Sequence, residues 1–145
     1  ELAIVQGHLG KLEEALNAAE RAVSLCPNHP KYHNAVAGIQ LDLARRCKTR
    51  TDANSYLARA LQYKDRLIRE FPNYPPAHLG RAAILAASGA KEADWEAEID
   101  EACKLYEQQS VMGAGIETSS ERLKIVLQNC RMKCLEAAAW WQKLP

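Results

Sequence analysis

A proline-marked motif occurs twice in this chain and restricts the fold more than any other feature. Residues 27–39 and 72–84 both follow the pattern P-N-x-P-x-x-H-x-x-x-A-x-I, and their first prolines lie 45 residues apart. In each copy the first proline ends one helix. The second lies near the start of the next helix, where its missing N–H costs no helical hydrogen bond. The repetition therefore predicts tandem helical units.

The composition also favours helices. The 145 residues include 24 Ala and 17 Leu against 5 Val and 7 Ile, and only 6% of them are aromatic. Ala and Leu are strong helix formers, whereas β-branched and aromatic residues favour strands. We therefore predict one all-α domain of ordinary size rather than a sandwich or a barrel.

Apolar residues that recur with a helical period define the expected elements. We predict a turn at Gly10. Thr51 or Asp52 is the expected N-cap of the helix over residues 52–70. A capping box, Thr118 to Glu121, opens the last helix. The predicted helices cover residues 11–25, 31–46, 52–70, 76–87, 91–108 and 119–142.

Charge is balanced overall and uneven locally. The formal net charge is +1, which argues against a strongly basic nucleic-acid-binding domain. Residues 42–70 contain eight basic and four acidic side chains, whereas residues 91–107 contain seven acidic and two basic ones. We expect these two segments to be neighbouring helices whose opposite charges favour their register.

The basic segment around residues 45–50 has two interpretations. It is either a solvated loop or a protruding basic loop that contacts RNA or an acidic protein surface. We favour the solvated loop and keep the second as the alternative. Its candidate contact residues are Arg45, Arg46, Lys48 and Arg50.

The cysteine and histidine residues indicate core packing rather than metal binding or catalysis. Five cysteines are an odd number, and most lie at apolar helical positions, which is typical of reduced thiols inside the cell. Cys130 and Cys134 lack the further ligands of a zinc site, so we interpret them as core thiols. His33 and His78 occupy equivalent repeat positions, which favours a packing role.

The use of cysteines as reduced thiols predicts an intracellular, cytoplasmic protein.

No catalytic or cofactor motif occurs in the sequence. There is no phosphate-binding glycine loop, no His-Glu metal motif and no arrangement of nucleophile and base. No apolar run approaches the roughly 18 residues of a membrane span. We therefore predict a protein without enzymatic activity, metal, cofactor or membrane segment.

Two tryptophans lie near the end of the chain. Trp141 fits the apolar stripe of the last helix, whereas Trp140 points about 100° away from it. Trp140 either covers an edge of the fold or marks a contact with a second chain or a further segment. Because the chain opens on Glu1 inside a helical pattern, we expect it to be part of a larger protein.

These motifs resemble tetratricopeptide repeats, helix–turn–helix units of 34 residues that carry conserved small, aromatic and proline positions. Leu2-Ala3 stands where the family has Leu-Gly, Gly10 falls at the turn and Pro27 closes the unit. His33 and His78 replace the family's tryptophan. The spacing of 45 residues exceeds the family's by 11. For these residues we expect longer helices around an extended turn at residues 45–54.

The resemblance implies a right-handed superhelix of about three antiparallel hairpins with a C-terminal capping helix. Residues 1–108 would hold the repeats, the first of them truncated at its N-terminus. Residues 109–118 would form a loop. Residues 119–145 would cap the array, and this last helix is also the candidate face for a homodimer.

The resemblance further implies a protein–protein interaction scaffold. Family members bind a peptide or a helix on the concave surface, mainly through the first helix of each unit. We expect a protein or peptide partner here and no nucleic acid. Recognition of a terminal carboxylate, which some members achieve with Lys, Arg and Asn, is poorly matched. The candidate groove residues are Lys31, Asn34, Gly38, Leu41, Asp42, Leu79, Ala83 and Ala87.

Overall fold

The fold is all-α, as predicted, in the computed structural model, which describes residues 2–111 and 120–145. Within these ranges every regular element is a helix. They are α1 (Leu2–Leu25), α2 (Pro30–Arg46), α3 (Arg50–Glu70), α4 (Pro75–Ala87), α5 (Glu92–Val111) and α6 (Ser120–Lys143).

The two proline motifs start two equivalent helices. Pro30 is the first residue of α2, and Pro75 is the first residue of α4. The preceding residues, His29 and Tyr74, have extended backbones with φ near −105°, the conformation favoured before proline. Neither residue caps its helix through a side chain. The fixed φ of proline thus defines both helix starts.

Consecutive helices pack against each other from α1 to α5, and α2 also touches α4. The last helix, α6, packs mainly against α4 and less extensively against α5. Near its middle, Cys130 of α6 donates to the Leu79 carbonyl of α4. Near its end, Trp141 contacts Gly89, just after α4. α6 therefore runs parallel to α4.

Small side chains allow the helices to approach closely. The core contains alanines from α2, α3, α4 and α6 together with the larger Trp95 and Ile99 of α5. Trp95 and Ile99 are each 1% exposed. The fully buried alanines of this core are Ala44, Ala53, Ala60, Ala82, Ala86 and Ala87.

The predicted turn at Gly10 is wrong. α1 continues unbroken through this glycine for 24 residues. A glycine inside a helix costs about 1 kcal/mol relative to alanine. The strong helix formers around it and the packing of α1 on α2 outweigh that cost.

The extended turn predicted at residues 45–54 is also wrong. Only residues 47–49 connect α2 to α3. The N-cap of α3 is Thr49, whose hydroxyl accepts a hydrogen bond from the Asp52 amide at 3.2 Å, and not Thr51 or Asp52 itself. The other part of the expectation agrees with the structure, because the additional residues lengthen the two helices of this unit to 17 and 21 residues.

The expected pairing of a basic α3 with an acidic α5 is not what the described helices show. Arg81 of α4 lies between them and donates to Asp65 of α3 and to Glu98 of α5 at 2.8 and 2.7 Å. Glu96 of α5 pairs instead with Arg131 of α6 at 2.8 Å. Two acidic residues of α5, Glu98 and Glu96, therefore pair with α4 and α6.

The loop predicted at residues 109–118 is wrong for residues 109–111, which belong to α5. The other residues of that prediction, including the predicted capping residue Thr118, lie outside the described residues. The helix that follows is described from Ser120 onward.

Candidate binding groove

A groove of about 790 Å³ lies between α2, α4 and α6. Since α4 contacts both other helices, it forms the floor, and α2 and α6 form the walls. Small residues line much of it, including Gly38 on α2 and Gly80 and Ala83 on α4. The volume falls within the usual range of ligand-binding pockets.

Most of the predicted groove residues lie in this groove. Lys31 is exposed but lies outside the lining, and Ala87 is fully buried in the core. The remaining six line the groove: Asn34, Gly38, Leu41, Asp42, Leu79 and Ala83.

The sequence interpretation missed the wall that α6 provides. Val126, Asn129, Lys133 and Glu136 of this helix line the groove. The sequence predicts only a capping helix here, because no local pattern shows that α6 lies beside α4 on the side of α2. The dimer face predicted on α6 stays a prediction. Met132 on this helix is 52% exposed.

Lys64 of α3 also lines the groove and was not predicted as a site residue. Its side chain is 2% exposed, and its ammonium donates a hydrogen bond to Asn34 Oδ1. A Cβ at position 80 would overlap Lys64 Nζ, so Gly80 provides the space that the amine occupies. The sequence signal that could have identified Lys64 is its position as a charged residue within the apolar stripe of α3.

The charge of Lys64 is poorly compensated. Burial lowers the pKa of Lys64 from 10.5 to about 8. In the part of the chain that the structure describes, no carboxylate forms an ion pair with it. Its amine is therefore a buried donor group held by one neutral amide oxygen.

The carboxylate on the α2 wall lies among cations instead. Burial raises the pKa of Asp42, while Arg46, Arg45 and Lys133 oppose that rise by their charges. Asp42 and Lys133 stand on opposite walls of the groove. The charges of the walls thus offset each other, unlike the ammonium at the floor.

The basic segment at residues 45–50 is not a protruding loop. The Arg45 guanidinium lies 5.1 Å from the centroid of the Trp140 ring, and that of Arg50 lies 4.9 Å from the Trp141 ring. Arg50 also donates from Nη2 to the Trp141 carbonyl at 3.0 Å, and from its backbone amide to the Pro145 carbonyl at 2.7 Å. Trp140 therefore covers an edge of the fold, which was the first of the two alternatives.

Both repeat histidines join structural elements. His33 is buried and donates from Nε2 to the Pro27 carbonyl at 2.8 Å. His78 donates from Nδ1 to Glu98 at 2.8 Å. Burial opposes the ionisation of Glu98, but His78 and Arg81 lower the pKa of this carboxyl below its usual value. These contacts agree with a packing role for the two histidines.

The two cysteines of α6 lie against α4. Cys134 is fully buried, whereas Cys130 borders the groove. A hydrogen bond from Cys134, aided by Lys133 and Arg131, lowers the pKa of Cys130 although burial opposes it. The same hydrogen bond and burial raise the pKa of Cys134. Among the residues described, no three His, Cys, Asp or Glu side chains gather as a metal site.

Comparison of the chain with protein-family models, with curated proteins and with solved structures finds no match. None of the helices over the described ranges combines the length and the apolar character needed to cross a membrane.

Proposed function

We propose that this chain is a non-enzymatic interaction domain that binds a segment of a partner protein in the groove between α2, α4 and α6. The observation that carries the proposal is that six residues chosen from the sequence line this one groove. The resemblance to tetratricopeptide repeats supports it, because α2 and α4 would be the first helices of successive units. The bound segment would be a helix or an extended peptide.

The dimensions of the groove suit a polypeptide. Its α2 wall extends from Asn34 to Arg45, a span of about 16 Å at 1.5 Å per residue. That length accommodates about three turns of a helix. The glycines and alanines along it allow a partner backbone to approach closely, so a segment rather than a whole folded surface fits best.

The alternative function, recognition of RNA or an acidic surface by residues 45–50, has weaker support. Two of its four cations, Arg45 and Arg50, lie on the tryptophan rings of α6. Binding through these guanidiniums would require giving up contacts within the fold. Arg45, Arg46 and Lys48 are exposed there, whereas Arg50 is half-buried.

Two exposed helical glycines provide a matched test of the groove. A Cβ added at Gly38, on the groove wall, or at Gly10, on α1, would meet nothing within 4 Å. Both positions are also exposed, which makes them suitable sites for a larger side chain. Peptides are selected by display against the wild-type chain, and their affinities are then measured for Gly38→Trp and Gly10→Trp.

We expect the selected peptides to lose at least about tenfold in affinity for Gly38→Trp, because the indole would occupy the groove. Their affinity for Gly10→Trp should equal that for the wild type. Peptides that bind Gly38→Trp as tightly as the wild type would overturn the proposed function.

A further inference from the structure

We propose that the Lys64 ammonium, positioned by Asn34 at the floor of the groove, binds the carboxylate of an Asp or Glu side chain of the partner segment. This inference rests on the proposed function and names the chemistry of the partner. It assigns a binding role to Lys64 of α3. This helix lies behind α2 and α4, which line this part of the groove.

The first argument is the incomplete satisfaction of Lys64. An ammonium has three N–H donors, and within the described residues Asn34 Oδ1 accepts the hydrogen bond that Lys64 makes. Burying a charge is costly unless the charge is paired and fully hydrogen-bonded. An apolar side chain would fill this position on the stripe of α3 without that cost. A carboxylate from outside would supply both the missing charge and the missing acceptors.

The second argument is access. Lys64 is almost fully buried, yet it borders the groove together with Asn34 and Gly80. Because Gly80 has no side chain, the path from the groove to Nζ is not blocked by α4. A carboxylate entering there would form a charge-assisted hydrogen bond, which is roughly twice as strong as a neutral one.

The third argument selects a carboxylate over a phosphate. The charge of one ammonium matches that of one carboxylate. A phosphate group carries a charge of about −1.5 to −2 and is typically held by several cations or by the planar fork of arginine. The other two cations that line the groove, Arg45 and Lys133, already lie in the field of Asp42. The floor of the groove thus offers a single compensating charge.

The test uses groove-dependent peptides, defined as those whose affinity falls at least about tenfold in Gly38→Trp. We expect each of them to contain an Asp or Glu whose replacement by Asn or Gln lowers the affinity for the wild-type chain at least about tenfold. For Lys64→Met the same replacement should change the affinity less than about twofold, because the ammonium is absent. Lys48→Met, which alters an exposed lysine, should behave like the wild type.

A second variant displaces the amine without removing its charge. A Cβ in Gly80→Ala would push Lys64 Nζ, the end of a flexible chain, out of its position. This variant should reproduce the loss of discrimination between the acidic peptide and its amide. It also keeps the test valid if Lys64→Met loses its helical circular dichroism signal.

The outcomes separate the two proposals. Groove-dependent peptides that bind equally well as amides, or that discriminate equally in Lys64→Met and Gly80→Ala, would overturn the carboxylate assignment and leave the groove function intact. Peptides that bind about tenfold tighter with phosphoserine in place of the acidic residue would also overturn it. A selection that yields no groove-dependent peptide would overturn the proposed function and this inference with it.

Discussion

The segment at residues 45–50 and the single Lys64 are two sources of positive charge with opposite roles. The segment is conspicuous in the sequence, yet Arg45 and Arg50 lie on tryptophan rings of α6. Lys64 is one charge within an apolar stripe, and only a neutral amide in the described residues accepts a hydrogen bond from it. The density of charge in a sequence thus says less about binding than whether the fold already provides a partner for each charge.

The largest effect is expected from removing the partner of Arg50. In Trp141→Ala the free energy of unfolding should fall by about 3 kcal/mol, because packing on Gly89 and the cation–π contact with Arg50 are both lost. Urea denaturation measures this change. Met132→Ala, at an exposed site on the same helix, serves as the control and should cost less than about 1 kcal/mol. A loss below about 1 kcal/mol in Trp141→Ala would show that α6 is not held through this contact.

Lys64→Met should stabilise the free chain by about 2 kcal/mol at pH 7, because an apolar side chain replaces a buried, unpaired charge. In the folded chain the pKa of Lys64, about 8, lies below its ordinary value of 10.5, so the unfolded chain holds this proton more tightly. The stability of the wild type relative to the variant should therefore rise from pH 8 to pH 10.5.

Urea denaturation of both proteins across that pH range checks this prediction. The advantage of Lys64→Met should shrink above pH 8 by about 1.4 kcal/mol per pH unit and be lost by about pH 9.5. A destabilised Lys64→Met, or an advantage that does not vary with pH, would mean that the ammonium is already compensated within the fold.

The effect of Arg50→Met on the free energy of unfolding should have the opposite sign to that of Lys64→Met. We expect the free energy of unfolding to decrease by about 1.5 kcal/mol, because the cation–π contact and the hydrogen bond to the Trp141 carbonyl are lost. Thermal and urea denaturation both report it. Lys48→Met, in the same connection but exposed, should leave the stability nearly unchanged. Equal stabilities of Arg50→Met and Lys48→Met would remove the contrast between the two regions.

The smallest effect concerns the two glycines beside the groove. Gly38→Ala should stabilise the chain by about 0.7 kcal/mol, because a methyl group there meets open space and alanine favours the helix. Gly80→Ala should gain less, since its methyl group must displace Lys64 Nζ. Chemical denaturation of the two variants side by side measures the difference. A larger gain for Gly80→Ala would indicate that Lys64 does not occupy this space.

Local patterns were sufficient to predict where most helices begin and end. Pro30 and Pro75 determine helix starts through their own backbone restriction, which needs no distant contact. Gly10 was predicted incorrectly, because the packing of a long helix overrides the preference of one residue. Thr49 was missed as the N-cap, because several neighbouring residues have suitable side chains and only the backbone geometry selects among them.

The groove was predictable only in part. Asn34 and Leu79 follow from the repeat register, because equivalent helices place equivalent faces on one side. The contact between Arg50 and Trp141 joins residues 91 positions apart, and no sequence period encodes it. Lys64 was recognised as a member of an apolar stripe, but its importance depends on the absence of a side chain at Gly80 on the next helix.

The most direct test of the central claim is an NMR titration of the Lys64 amine in the free chain, with its signal assigned by its absence in Lys64→Met. A buried ammonium without a carboxylate partner predicts a pKa of about 8 for Lys64. Addition of a groove-dependent acidic peptide should raise this pKa, because the carboxylate favours the charged form. A Lys64 pKa near 10.5 in the free chain would contradict the account.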